Sequence, residues 1–298
     1  MDKVVDCLGL SKTYRTGTVA LEGLNFSVEK GAIHGLVGRN GAGKTTLMKC
    51  LFSLIRPTSG TVNVFGHPAG QMAHKVGGLI EMPAFYKHLS GRQNLALFAG
   101  YFGVDSAECG RILDLVGLAN RAEDKSSGYS LGMKQRLGIA IALLGKPELL
   151  ILDEPVNGLD PQAIAETRDL MRTLRESGTT ILLSSHLLGE IEQVCDTVTV
   201  LESGRLVANG TPEQLRQQFN GQAPLELQVG DPATASQLLE GMGVKVKVEG
   251  SSLLAYLPED VSASDLVKVL VKEDIEVGAV KRRDSLEAAY LSMTQKEQ

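Results

Sequence analysis

The residues GRNGAGKTT, Gly38 to Thr46, satisfy the pattern G-x-x-x-x-G-K-[ST] at every defined position. Residues of these types in this order hold phosphate. The glycines let consecutive backbone N–H groups turn inward, making a positive nest at a helix N-terminus. Gly38, Asn40, Gly41, Ala42, Gly43, Lys44, Thr45 and Thr46 are therefore the candidate cradle of a nucleoside triphosphate. Lys44 is expected to reach the β- and γ-phosphates, and the Thr45 hydroxyl to hold Mg²⁺. The apolar run AIHGLV precedes the motif and the helical run LMKCLFSL follows it, which is the strand-to-helix context the motif requires.

A second constellation, LLILDEP (Leu149 to Pro155), ends an apolar strand on two carboxylates. Asp153 is expected near the metal, reaching it through a water because Mg²⁺ keeps much of its hydration. Glu154 is the natural general base for a nucleophilic water. A third carboxylate, Glu81 in GGLIEMPAFY, stands at the exit of another buried run and two residues before Pro83. Taken alone it reads as a solvated strand end.

These residues need elements to position them. With 298 residues, 43% hydrophobic and 22% charged, the chain has room for one large domain or two ordinary ones, each with a core. Its net charge of -5 disfavours a dedicated nucleic-acid binder. Cys7, Cys50, Cys109 and Cys195 lack metal-ligand spacing, which points to buried thiols. The start MDKVVDCLGLSKTYR has no apolar core of a signal peptide, and LGIAIALLG is too short to span a bilayer. A chain that is soluble by itself is expected, with any membrane connection made through a partner.

Strand-like and helix-like segments alternate over roughly the first 220 residues, the pattern of an α/β domain. AIHGLV, TVNVF, ELLILD and TTILLSS are its strands, and VTVLESGRLVANG reads as a hairpin turning at Ser203-Gly204. Between Pro83 and Lys146 leucine and alanine recur at helical spacing, giving a helical subdomain over about 83–146. Residues 1–219 form this domain and 220–298 a second one, small and α+β. Its strand–helix–strand–strand–helix–strand order suggests a ferredoxin-like unit with a regulatory or dimerising role. Lys281-Arg282-Arg283 is too short a basic run to attract a membrane, and the amphipathic SLEAAYLSM is expected to pack back on the unit.

No guanine-reading Asn-Lys-x-Asp is present, and the helical insertion has few arginines for a kinase lid. Instead, YSLGMKQR (Tyr129 to Arg136) lies upstream of the DEP strand. It resembles the LSGGQ signature of ATP-binding cassette (ABC) proteins, with Leu131 and Met133 in place of a glycine and the glutamine. The resemblance covers the first domain, and the motifs come in the family's order. It implies a P-loop ABC ATPase fold, a RecA-like core with an antiparallel β part and a helical subdomain.

It further implies that Tyr14 stacks on adenine, that NGLD up to Asp160 is the D-loop, and that His186 in LLSSHLL is the switch histidine. Ser130 and Gly132 would meet the γ-phosphate of an ATP held by a second ABC subunit, so a homodimer sandwiching two ATPs is expected. Hydrolysis by Glu154, His186 and Lys44 would drive a separate integral membrane permease from the cytoplasmic face of the cell membrane. The alternative is a soluble ABC ATPase of translation or repair, against which the single cassette and the missing coiled coil argue. Retention of Asp153, Glu154 and His186 argues against a binding module without turnover. Glu81 falls where most of the family has a glutamine that touches Mg²⁺ or the attacking water, and its carboxylate still offers oxygen to the ion, so the resemblance implies Glu81 as a metal ligand beside Thr45 and Asp153. Glutamate there, beside a YSLGM-type signature, is similar to exporters of bacitracin and lantibiotic peptides.

Overall fold

The computed structural model describes residues 2–219, 224–258 and 261–282. Arg283 and the stretch SLEAAYLSM lie outside the described residues. Contacts divide the chain into Met1–Thr211 and Pro212–Gln298.

The first unit contains two sheets. One is antiparallel, in the order β2-β1-β4-β5, from β1 (Lys3–Thr13), β2 (Val19–Glu29), β4 (Ser59–Val64) and β5 (His67–Pro68). The other has the order β10-β9-β3-β8-β7-β6. It comprises β3 (Ile33–Val37), β6 (Val76–Leu79), β7 (Leu149–Leu152), β8 (Thr180–Ser185), β9 (Thr197–Glu202) and β10 (Arg205–Gly210). Neighbours from β9 to β6 run parallel, and only β10 returns antiparallel through the Ser203-Gly204 turn. β3, β7 and β8 are buried at every position, as parallel strands covered on both faces must be. Helix α1 (Lys44–Leu51) shares one core with both sheets, its Leu47, Met48 and Leu51 lying with Val5, Leu24, Ile151 and Leu182.

Helices α2 (Gly91–Phe102), α3 (Ala107–Leu115) and α4 (Leu131–Leu143) form the expected helical region. Ser90 opens α2 with a reciprocal cap: its hydroxyl accepts from Gln93 N and Gln93 Oε1 accepts from Ser90 N. Buried Asn94 then binds both the N–H and the carbonyl of Tyr86, at 2.8 and 3.0 Å, closing the loop that carries Glu81 onto α2. Helices α5 (Pro161–Glu176) and α6 (Leu188–Val194) complete this unit.

The second unit starts earlier than the expected 219/220 boundary. Contacts group α7 (Pro212–Phe219) with it, and Pro212, which has no N–H to extend a strand, suits the first turn of that helix. There follow β11 (Leu225–Val229), α8 (Pro232–Gly241), β12 (Lys245–Glu249), β13 (Ser252–Tyr256), α9 (Ala263–Lys272) and β14 (Val277–Arg282). The sheet order β12-β13-β11-β14, antiparallel throughout, is the split βαβ arrangement that the element order suggested. Its core is Leu225, Leu227, Leu239, Leu253, Leu266, Leu270 and their neighbours.

His34 is a core residue rather than a site residue. Its Nδ1 meets Thr197 Oγ1 at 2.8 Å and its Nε2 meets Thr199 Oγ1 at 2.9 Å. Thr199 spends its own hydrogen on Asn209 Oδ1, so it accepts from Nε2–H, and Nδ1 accepts from Thr197. Burial lowers the His34 pKa to about 4. The unfolded chain takes up a proton near pH 6.5 that the folded chain refuses. This contribution to stability is whole above pH 6.5 and is lost as the pH falls toward 4. It amounts to about 3 kcal/mol. Urea midpoints between pH 7 and pH 4.5 should show this fall, and His34→Gln should flatten the histidine part of the slope.

Candidate functional site

The phosphate loop, β6, β7 and β8 bring their chemistry to one edge because their strands end in register. Val37 pairs with Ser185, and Leu152 pairs with both Leu183 and Leu79. The carboxyl ends of parallel strands are where α/β sheets bind ligands. Here a cleft of about 230 Å³ is lined by Ala20, Arg39 to Thr46 and Glu154.

Two glycines of the loop have steric reasons to be glycine. Gly43, the N-cap of α1, has φ 105, and a Cβ there would fall 2.5 Å from the Ala20 carbonyl. A Cβ on Gly38 would fall 2.4 Å from the Leu201 carbonyl. The loop is thus clamped against β2 and β9.

Lys44 is 6% exposed. Its ammonium donates to Gly38 O at 2.6 Å and pairs with Glu154 Oε1 at 3.2 Å. The Thr45 hydroxyl donates to Asp153 Oδ2 at 2.8 Å. On its other oxygen Asp153 accepts from Ser184 Oγ at 2.6 Å, and Ser184 Oγ accepts from the Glu154 backbone N–H at 2.9 Å. His186 Nδ1 lies 2.7 Å from Glu154 Oε2. A carboxylate accepts, so Nδ1 carries the hydrogen. Glu154 itself has φ 49, a left-handed conformation that is costly for a residue with a Cβ. Lys44, Thr45, Asp153, Glu154 and His186 therefore form one connected network.

Ser184 is the member that sequence reading missed. The run TTILLSS reads as a buried strand, and a serine inside it gives no sign that it joins the two carboxylate residues. Its position at the end of β8, two residues before His186, is the available signal.

Other candidates lie around this network. Tyr14 is partly exposed and its hydroxyl is 3.3 Å from Thr46 Oγ1. Ser130 caps α4 by accepting from Met133 N, and Gly132 follows it in the first turn; neither lines the cleft. Asp160 caps α5, accepting from Ala163 N at 2.9 Å beside Pro161 at the first helical position. The guanidinium of Arg136 pairs with Glu166 at 2.9 Å, linking α4 to α5. Glu81, with φ 63, leaves β6 just after Leu79, whose carbonyl accepts from Asp153 N. Its carboxylate pairs with Lys49 Nζ at 2.5 Å, and this bond raises the Lys49 pKa, with smaller contributions from Tyr14 and Asp153.

The Thr45 hydroxyl and the Asp153 carboxylate, two hard oxygen donors in contact, suit Mg²⁺, which takes few protein ligands alongside water and phosphate. Bound there, the ion would draw negative charge from the phosphates.

The family model for "ABC transporter" matches residues 21–157. An uncharacterized ABC transporter ATP-binding protein YcbN of Bacillus subtilis is 39% identical, with 98% of this chain and 97% of that one aligned. The bacitracin transport ATP-binding protein BcrA of Enterococcus faecalis is 45% identical over 80% of this chain and 79% of its own length. A solved structure of an ATP-binding subunit of an ABC transporter superposes with a TM-score of 0.65 at 34% identity, covering 73% of this chain and 93% of that one. Network, fold and relatives agree: the chain belongs to the ABC transporter ATP-binding proteins and is an ATPase of that family.

Proposed function

We propose that this chain is the energising subunit of an exporter of antimicrobial peptides. Two copies would sandwich two Mg·ATP and drive a separate membrane permease from the cytoplasmic face. The observation that carries the reading is the Lys44–Glu154–His186 network, with Asp153 and Thr45 beside it. In it Glu154 takes the proton of the attacking water, His186 holds the carboxylate by Oε2, and Lys44 steadies the phosphates. Ser130 and Gly132 lie outside the cleft in one copy, which supports their use against the nucleotide of a second copy. The N-terminus of α4 would there present amides and partial positive charge to the γ-phosphate.

Among the described residues no helix is long and apolar enough to cross a membrane. Yet Met82 after β6 and Leu97, Tyr101 and Phe102 on α2 are exposed, an apolar dressing suited to a partner's cytosolic helices. The bacitracin relative supports a peptide substrate. Co-purification of the tagged chain in detergent with a polytopic protein, and resistance to bacitracin-type peptides that depends on both, is the expected result. A chain found with ribosomes or DNA instead would favour a soluble ATPase of translation or repair. At the loop, Glu81→Ala should lower resistance more than it lowers basal ATP hydrolysis; equal loss of both, or of neither, removes the coupling role.

A further inference from the structure

The Glu81 carboxylate brings a further negative charge to this end of the sheet. It does not itself line the cleft, but it follows β6, the strand beside β7 that Asp153 and Glu154 follow, and its partner Lys49 is within electrostatic reach of Asp153. A third carboxylate after neighbouring strand ends repels the other two and an approaching polyphosphate. Two of them are answered inside the network. Asp153 receives the hydroxyls of Thr45 and Ser184, and Glu154 receives Lys44 and His186. Glu81 has only Lys49 as a cation partner among the contacts of the described residues.

Lys49 is placed for this by the helix itself. It follows Thr45 by four residues on α1, and side chains four apart share a helix face. The hydroxyl that faces Asp153 and the ammonium that faces Glu81 thus project from the same side of one helix, toward the ends of adjacent strands. The lysine is 29% exposed, and its ammonium meets the 62% exposed Glu81 carboxylate. The left-handed turn at Glu81, φ 63, delivers the carboxylate to that head.

We propose that Lys49 is a positioning residue that neutralises Glu81 and holds its carboxylate at the exit of β6, so that this loop works as a lysine–glutamate pair. The proposal rests on the reading of Glu81 as a loop residue at the phosphate end of the cleft. Its consequence is specific. Losing Lys49 leaves a free carboxylate that repels nucleotide, and losing both charges together restores the balance.

The test uses the full-length chain with Lys49→Met, Lys49→Arg, Glu81→Gln and the double variant K49M/E81Q. Affinity for trinitrophenyl-ATP is measured by fluorescence in EDTA and in Mg²⁺, alongside steady-state kinetics and thermal melting. K49M should weaken binding in EDTA about fivefold, the scale of a half-exposed ion pair, and raise KM by more than it lowers kcat. K49R should bind as the parent does. E81Q should bind at least as tightly as the parent, and K49M/E81Q should return to within about twofold of it. A double variant as weak as K49M overturns the proposal, because Lys49 then meets the nucleotide directly. K49R failing to rescue while melting temperature falls in step with affinity overturns it in favour of packing. Should the double variant recover while Glu81→Ala leaves the ratio of resistance to hydrolysis unchanged, the pair stands and the coupling role of Glu81 falls.

Discussion

Glutamine in place of Glu154 should stop ATP turnover and spare nucleotide binding. We expect kcat to fall by at least about a hundredfold, the usual contribution of a general base, with trinitrophenyl-ATP affinity kept within about threefold of the parent. The geometry explains the split. An amide of the same shape keeps an oxygen for His186 Nδ1, so the side chain stays in place. It cannot take a proton from water at neutral pH. Lys44 loses a negative partner at 3.2 Å, which leaves the ammonium freer for phosphate. Phosphate release in Mg²⁺ and equilibrium binding in EDTA separate the two effects. A loss of turnover under tenfold would mean that another group accepts the proton.

Alanine in place of Ser184 should damage both stability and rate. The hydroxyl is fully buried and serves two residues at once, donating to Asp153 and accepting from the Glu154 N–H. Removing it leaves a carboxylate oxygen and a backbone N–H with one partner fewer. An unmet buried polar group costs about 1–3 kcal/mol, so a loss of about 2 kcal/mol is expected. For a domain of this size that is a fall of roughly 4–8 °C in melting temperature. Turnover should fall about tenfold, because the left-handed backbone at Glu154 is held by that bond and relaxes without it. Melting and kcat measured on the same preparation check both halves. A variant that melts lower with undiminished kcat would show that Ser184 only supports the fold.

Much of the first unit is legible in its residues. The phosphate loop is contiguous, so its identity and its strand–loop–helix context can be read from GRNGAGKTT and its flanks. Strands β3, β7 and β8 are short apolar runs because both faces are covered, and α2 to α4 show their period of leucine and alanine. In the second unit, six seeds in the order βαββαβ agree with the elements observed. The long strands β1 and β2 are harder to read. Their alternation is broken by register shifts, one between Cys7 and Leu10, and by left-handed glycines at Gly9 and Gly23. KVVDCLGLSKT therefore lacks a clean period of two.

The site divides along the same line. The residue types already spell out the chemistry: a cradle for phosphates, a hydroxyl, carboxylates after a strand, a histidine after another. Which group answers which charge follows from how the strands and helices pack. Along the chain β3, β7 and β8 come in that order, but in the sheet β8 lies between β3 and β7. That crossover carries Ser184 to Asp153 and His186 to Glu154, across separations of 31 and 32 residues. It likewise takes the packing of α1 near the end of β6 to bring Lys49 to Glu81, also 32 residues away. Residue types are written locally, whereas an ion pair or hydrogen bond depends on distances of a few ångströms that the order of strands in the sheet sets.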